Sequence, residues 1–189
     1  MKQTSFLRPE KSDYGGSLLK TRYGRSRPRP LDTRNTMHLI LRSTKARGVW
    51  SFRTVQNERK IKAILKRFSE RHGVRIQSFA NVGNHLHLQI KLSNRYRYQP
   101  FICAVTAAIA MAVSGASRRS PMKRDMKRGK SGVKERFWDL RPFTRIVTSL
   151  RAVLNLRDYI RINGLEGQGF HREEARWMIA QTKRGWNTS

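Results

Sequence analysis

Acidic residues are scarce in this chain. Its 189 residues hold 12 Asp and Glu against 41 Lys and Arg, a formal charge of +29 at pH 7. Self-repulsion of that size is tolerated when a polyanion neutralises it, so nucleic acid is the leading partner and an anionic membrane surface the competing one. Cysteine is nearly absent. The single Cys103 lies in an apolar stretch, which excludes an intrachain disulfide framework and fits a reducing cytosol. It also speaks against a closed structural zinc site. Long hydrophobic runs are missing too: the longest, Phe101 to Val113, falls short of the ~17–25 residues of a bilayer span, and no membrane partner is expected. The N-terminus has no apolar core of a secretory signal, and Glu10, Asp13, Gly15-Gly16 and the prolines argue against a transit peptide.

What is present divides into a domain and its basic attachments. Residues 1–35 carry nine Lys/Arg against three acids and several Gly and Pro, a basic arm suited to lying along phosphates. A strand is expected from Met37 to Ser43 and a helix from about Gln56 to Arg71, where Ile61, Ile64, Leu65 and Phe68 recur at helical spacing. Gly73 closes that helix. Val74–Val82 reads as a strand joined through a tight turn at Gly83-Asn84 to the next. Asn94–Gln99 is a polar loop in which Tyr96 and Tyr98 alternate with Arg95 and Arg97, a pattern suited to stacking on unpaired bases. Pro100–Ser117 reads as a buried, Ala-rich helix.

Residues 117–136 form a second basic segment, nine Lys/Arg against two acids. Phe137–Val147 is extended, and Pro142 confines it to an edge strand or an irregular segment. A helix from Ser149 to Asn163 is expected to stop at Gly164, followed by a C-terminal helix of about His171–Thr182 within residues 166–189. The order strand, helix, strand, strand, helix, strand, helix gives an α+β fold: a ferredoxin-like split βαβ sandwich with helices on one face of an antiparallel sheet.

The chemistry gathers on Asn84-His-Leu-His-Leu-Gln-Ile-Lys91. Leu86, Leu88 and Ile90 alternate with His85, His87, Gln89 and Lys91, so one strand face is polar. Imidazoles at i and i+2 point the same way, roughly 6.5–7 Å apart, and both can reach one metal ion. An exposed polar edge is the plain alternative. On the helix ending at Asn163, Tyr159 and Asn163 project from one face about a turn apart. Asn163 offers a neutral carbonyl oxygen as a third ligand, and Tyr159 a hydroxyl nucleophile. Docked across the open sheet face, that helix would bring the four together. His38, on a neighbouring strand, reads as a hydrogen-bonded structural histidine, with ligation in place of Asn163 as the alternative.

These motifs resemble a known family. Met37-His-Leu-Ile-Leu-Arg42 is similar to the first strand of single-tyrosine transposases, and Asn84-His-Leu-His-Leu88 to their HUH metal strand. Arg136-Phe-Trp138 with Asp158-Tyr-Ile-Arg-Ile-Asn163 resembles the ending of the REP-associated tyrosine transposases, so that the likeness spans residues 36–165. Two departures stand out: Gly83 replaces a proline before the Asn-His pair, and Gly164 a proline after the final Asn. Both are expected at turns, where Gly serves as well as Pro.

The resemblance implies the HUH endonuclease fold and a bacterial, nucleoid-associated cytoplasmic protein. It also implies nicking and strand transfer on single-stranded, hairpin-forming (REP-like) DNA. His85, His87 and Asn163 would hold Mg²⁺ or Mn²⁺, and Tyr159 would form a 5′-phosphotyrosine. Candidate contacts to the strand are Arg42, Lys91, Arg95, Tyr96, Arg136, Trp138, Arg141, Arg145 and Arg157, with Trp138 weighed also as a core anchor. The REP-associated branch favours a monomer over a dimer. The competing reading is a catalytically idle binder of DNA or RNA with the same fold.

Overall fold

The computed structural model describes residues 14–15, 30–116, 136–139 and 141–184. Most of the N-terminal arm, nearly all of the 117–136 segment and the last five residues therefore lie outside the described residues. The elements are β1 (Tyr14–Gly15), β2 (Thr36–Arg42), α1 (Val55–His72), β3 (Val74–Asn81), β4 (His85–Leu92), α2 (Tyr98–Ser114), β5 (Phe143–Val147), α3 (Leu150–Gly167) and α4 (Arg172–Arg184). The sheet runs β1-β5-β2-β4-β3 with every neighbour antiparallel. Since β4 lies between β2 and β3, the β2–α1–β3 unit is split, as the alternation of elements predicts.

Local chemistry sets the boundaries. The Thr54 side chain accepts from the Asn57 N–H to open α1, and Gly73 ends it in the left-handed conformation, at φ +61°. Ser149 caps α3 through the Ala152 N–H. Tyr98, expected in a loop, is the first residue of α2 and is fully buried. The strand of β5 starts only at Phe143, just after Pro142, while Phe137 and Trp138 turn into the core. Two residues of the arm, expected to hold no regular element, pair as β1 with β5.

Gly83 lies at the turn expected of it, whereas the expected stop of the last domain helix at Gly164 needs correction. Gly83 turns β3 into β4 at φ +97°, a conformation closed to proline, whose ring fixes φ near −65°. Gly164 does not end α3, which runs on to Gly167. A Cβ at Gly164 would only touch the Ala80 methyl at 3.7 Å, whereas one at Gly167 would meet the Asn81 carbonyl oxygen at 2.8 Å. The helix rides closely on the end of β3, and the close approach falls at Gly167. Gly167→Ala should therefore cost roughly 1–3 kcal/mol, because backbone must move. In a thermal melt that loss appears as a Tm lowered by several degrees; an unchanged Tm would mean that α3 is free to lift off.

The sheet has two covered faces. On one, Met37, Leu39, Leu41, Leu86, Leu88, Ile90 and Leu92 meet Ile61 and Leu65 of α1 and Phe101, Val105 and Ile109 of α2. On the other, α3 seals a smaller cluster of Ala80, Val147, Leu156 and Ile160, and α4 packs against α3. That second covering is why His87 and Gln89 are as buried as the leucines they alternate with. Among the described residues no helix is long and apolar enough to cross a membrane.

Candidate active site

Strand register decides which side chains meet beneath α3. His38 stands opposite Gln89 on one side and Arg145 on the other; Ile40 stands opposite His87, and Arg42 opposite His85. His38 and His87 are thus diagonal neighbours on one face, a spacing aromatic rings can span. Their rings lie side by side in planes within 20° of each other, centres 5.4 Å apart, and His38 Nε2 lies 3.2 Å from His87 Nδ1. His85 sits 4.8 Å from His87 between ring centres, and its Nδ1 is 2.6 Å from Asn84 Oδ1.

From α3, Tyr159 brings its ring edge-on to 5.5 Å from His87 and 6.0 Å from His38. It is 40% exposed, so the phenol lies beside the imidazoles and still faces solvent. One turn on, Asn163 is buried and donates Nδ2–H to the Tyr159 carbonyl at 2.7 Å, which leaves Oδ1 uncommitted among the described residues. Gln89 accepts from Ser78 Oγ at 2.8 Å, tying the same face of β4 to β3.

Burial governs the electrostatics. His87 is pushed down to about 3, first by loss of hydration and then by the neighbouring His38 and His85. His38 falls to about 4 through burial and the Arg145 cation, and His85 is lowered by burial and Arg42. The three imidazoles are therefore neutral at pH 7 and offer lone pairs. A consequence for stability follows from linkage. His38 and His87 resist protonation when folded and accept it near pH 6.5 when unfolded, so unfolding takes up protons as pH falls. Their contribution is complete above about pH 6.5 and is lost between there and about pH 4 for His38 and about pH 3 for His87. Denaturant titrations in chelator should show a slope approaching ~1.4 kcal/mol per pH unit for each ring. A flat profile from pH 7 to 4.5 would contradict the neutral, buried pair.

The donor set fits a divalent ion. His87 Nε2 is a buried atom with no hydrogen-bond partner. Asn84 can hold His85 in the tautomer that leaves Nε2 as a lone pair, the orientation that a metal-bound histidine needs. With the amide oxygen of Asn163 the set is two nitrogens and one oxygen, suited to Mn²⁺ or Mg²⁺ with open positions. Among the described residues no group of three or more His, Cys, Asp or Glu is arranged to hold a metal, so Asn163 would have to complete the site.

The candidate strand contacts separate. Lys91 and Arg145 are exposed on the histidine face, at the register positions that flank the site. Arg42 leans on Asp139 at 3.6 Å, and that carboxylate also accepts from Thr44 N and Oγ1 at 2.8 Å each. Arg157 lies 3.9 Å from Asp158. Arg95 and Tyr96 occupy a short 3-10 turn, Arg95–Arg97, with Tyr96 80% exposed; Arg136 and Arg141 are exposed. Trp138 is placed as a core anchor and not as a stacking platform: it packs on Phe52 and Phe137 and donates Nε1–H to the Thr106 carbonyl at 2.9 Å. His38 is the hydrogen-bonded histidine that the sequence reading expected, and its partner is His87. Its position on the polar face of a strand was visible; the register that lays it on His87 was not.

No family model and no curated protein matches the chain. Among solved structures, the chain is similar to a REP-associated tyrosine transposase bound to a REP hairpin, at 12% identity and a TM-score of 0.55, covering 76% of this chain and 74% of that one. A second, a candidate transposase from Deinococcus radiodurans, aligns at 15% identity over 74% of this chain and 95% of the other, but its TM-score of 0.42 is too low to carry weight. The chain thus has the fold of a REP-associated tyrosine transposase, the family its motifs resemble.

Proposed function

We propose that the protein nicks and rejoins single-stranded, hairpin-forming DNA, with Tyr159 as the nucleophile. The observation that carries this reading is the phenol of Tyr159 resting 5.5 Å, ring centre to ring centre, from a buried imidazole whose Nε2 has no partner. Pure binding has no use for such an arrangement. Tyr159 Oη attacks the scissile phosphorus; the bond to the 3′-oxygen breaks, and a 5′-phosphotyrosine forms. The phenolic proton leaves to solvent through the exposed side of the ring, and the departing 3′-oxygen takes up a proton to become a hydroxyl. Attack by another 3′-hydroxyl runs the same exchange backwards and restores the phenol, so rejoining needs no added energy source.

His85, His87 and Asn163 would hold a divalent ion at this point. Such an ion, when bound, supplies Lewis-acid polarisation of a non-bridging phosphate oxygen. Lys91 and Arg145 flank the site and draw the backbone phosphates onto the open side of the face. The packing of α3 on the sheet holds Tyr159 over the histidines, so the reacting atoms are positioned before DNA arrives. The hairpin preference is carried over from the REP-hairpin-bound neighbour and agrees with the charge of +29. We take the acting form to be a monomer, since Tyr159 reaches the histidines of its own chain.

The test is incubation of the full chain with labelled single-stranded hairpin DNA and Mn²⁺. The expected result is a protein–DNA species that survives denaturation and disappears in chelator. Tight binding of many hairpins without any such species would overturn this reading and leave a basic nucleic-acid binder.

A further inference from the structure

His38 is buried at this site, and the nicking reaction assigns it no task. We infer that His38 is a positioning residue that fixes the tautomer of His87, accepting a hydrogen bond from His87 Nδ1–H and thereby presenting His87 Nε2 as a bare lone pair. The inference rests on the proposed function for the metal that this lone pair would meet, but the tautomer itself is a property of the protein alone.

The geometry leaves two arrangements. The 3.2 Å separation of His38 Nε2 from His87 Nδ1 holds one proton between two neutral rings. If His38 were the donor, the proton of His87 would sit on Nε2, which is buried and has no partner. That would strand an N–H away from water, the rarer and costlier kind of orphan. If His87 is the donor, the orphan is an acceptor lone pair, which is what a cation satisfies. Both rings are almost fully buried, His38 at 8% and His87 at 3% exposure, so water is poorly placed to substitute for either partner. The rings lie side by side in planes within 20° of each other, so the in-plane N–H of one points at the in-plane lone pair of the other. Tyr159 closes the remaining side, edge-on to both rings, so the same pair also seats the nucleophile.

The substitution His38→Leu keeps the volume and removes the acceptor; His38→Gln can place an amide oxygen near the lost Nε2. Two readouts separate positioning from mere filling. First, imidazole nitrogen NMR of the metal-free full-length protein should show His87 as the Nδ1–H tautomer, and in His38→Leu a shift toward the Nε2–H form. Second, Mn²⁺ affinity should fall about 10–100-fold in His38→Leu, the range for lost outer partners of metal-bound histidines. His38→Gln should recover most of that loss. The Nε2–H form in the unsubstituted protein, or undiminished Mn²⁺ affinity in a folded His38→Leu variant, would overturn the inference. Should His38→Leu fail to fold, the spectrum of the unsubstituted protein still decides. Failure of the unsubstituted protein to bind Mn²⁺ would count against the nicking reaction, while the tautomer would still be read independently.

Discussion

Replacing Tyr159 by Phe is expected to remove the covalent protein–DNA species completely while leaving DNA affinity unchanged. The phenolic oxygen is the only heavy atom lost, and it is carried by the ring that contacts the buried imidazoles of both His38 and His87. The ring itself stays, so both edge-on contacts survive. Its hydroxyl makes no hydrogen bond among the described residues, and the side chain is 40% exposed, so stability should stay within about 0.5 kcal/mol. Binding is carried by a surplus of cations spread along the chain and should not register the change. The measurement is denaturing electrophoresis of the adduct beside an equilibrium titration of the same hairpin. An adduct that persists in Tyr159→Phe would place the nucleophile elsewhere.

The second large effect is expected from His87→Ala. This substitution removes the buried Nε2 and, with it, one of the two imidazoles available to a cation. Loss of outer partners of metal-bound histidines costs about 10–100-fold, so loss of a direct ligand should reach or exceed the upper end in Mn²⁺-dependent cleavage. Stability should respond quite differently. The substitution leaves a small cavity but also relieves an unpartnered buried nitrogen, and in acid it removes a group that resists protonation. Cleavage collapses while the fold persists, and the acid loss of stability becomes shallower. Single-turnover cleavage over a Mn²⁺ titration separates weakened binding, which excess metal restores, from a misplaced phosphate, which it does not. Cleavage at the unsubstituted rate would remove His87 from the site.

Much of this organisation could be read from one-dimensional pattern. The 2-residue alternation of Leu86, Leu88 and Ile90 against His85 and His87 marks a strand with a chemical face, and the 3.6-residue recurrence of Ile61, Leu65 and Phe68 marks α1. Tyr159 and Asn163 at i, i+4 share a helix face whatever the helix docks on. Other features depend on how elements meet, and no local pattern encodes that. His38 lies on His87 only because β2 and β4 pair with Ile40 opposite His87; a slip of one residue would have sent it to the other face. The close approach of α3 to β3 at Gly167, where a side chain would meet the Asn81 carbonyl, is likewise set by a distant strand. Gly83 has a turn conformation that a proline could not copy, so its departure from the family pattern is a real change of backbone and not an exchange of equivalents. Trp138 read more readily as an anchor than as a platform, and its contacts with Thr106 and Phe52 bear the anchor out.

The most direct test of the chemistry is to digest the covalent adduct formed on single-stranded hairpin DNA with Mn²⁺ and locate the modified peptide by mass spectrometry. The predicted result is a 5′-linked nucleotide on the phenolic oxygen of Tyr159, with a free 3′-hydroxyl on the released fragment. A nucleotide found on any other side chain, or no modified peptide on any hairpin including those flanking the protein's own coding region, would contradict it.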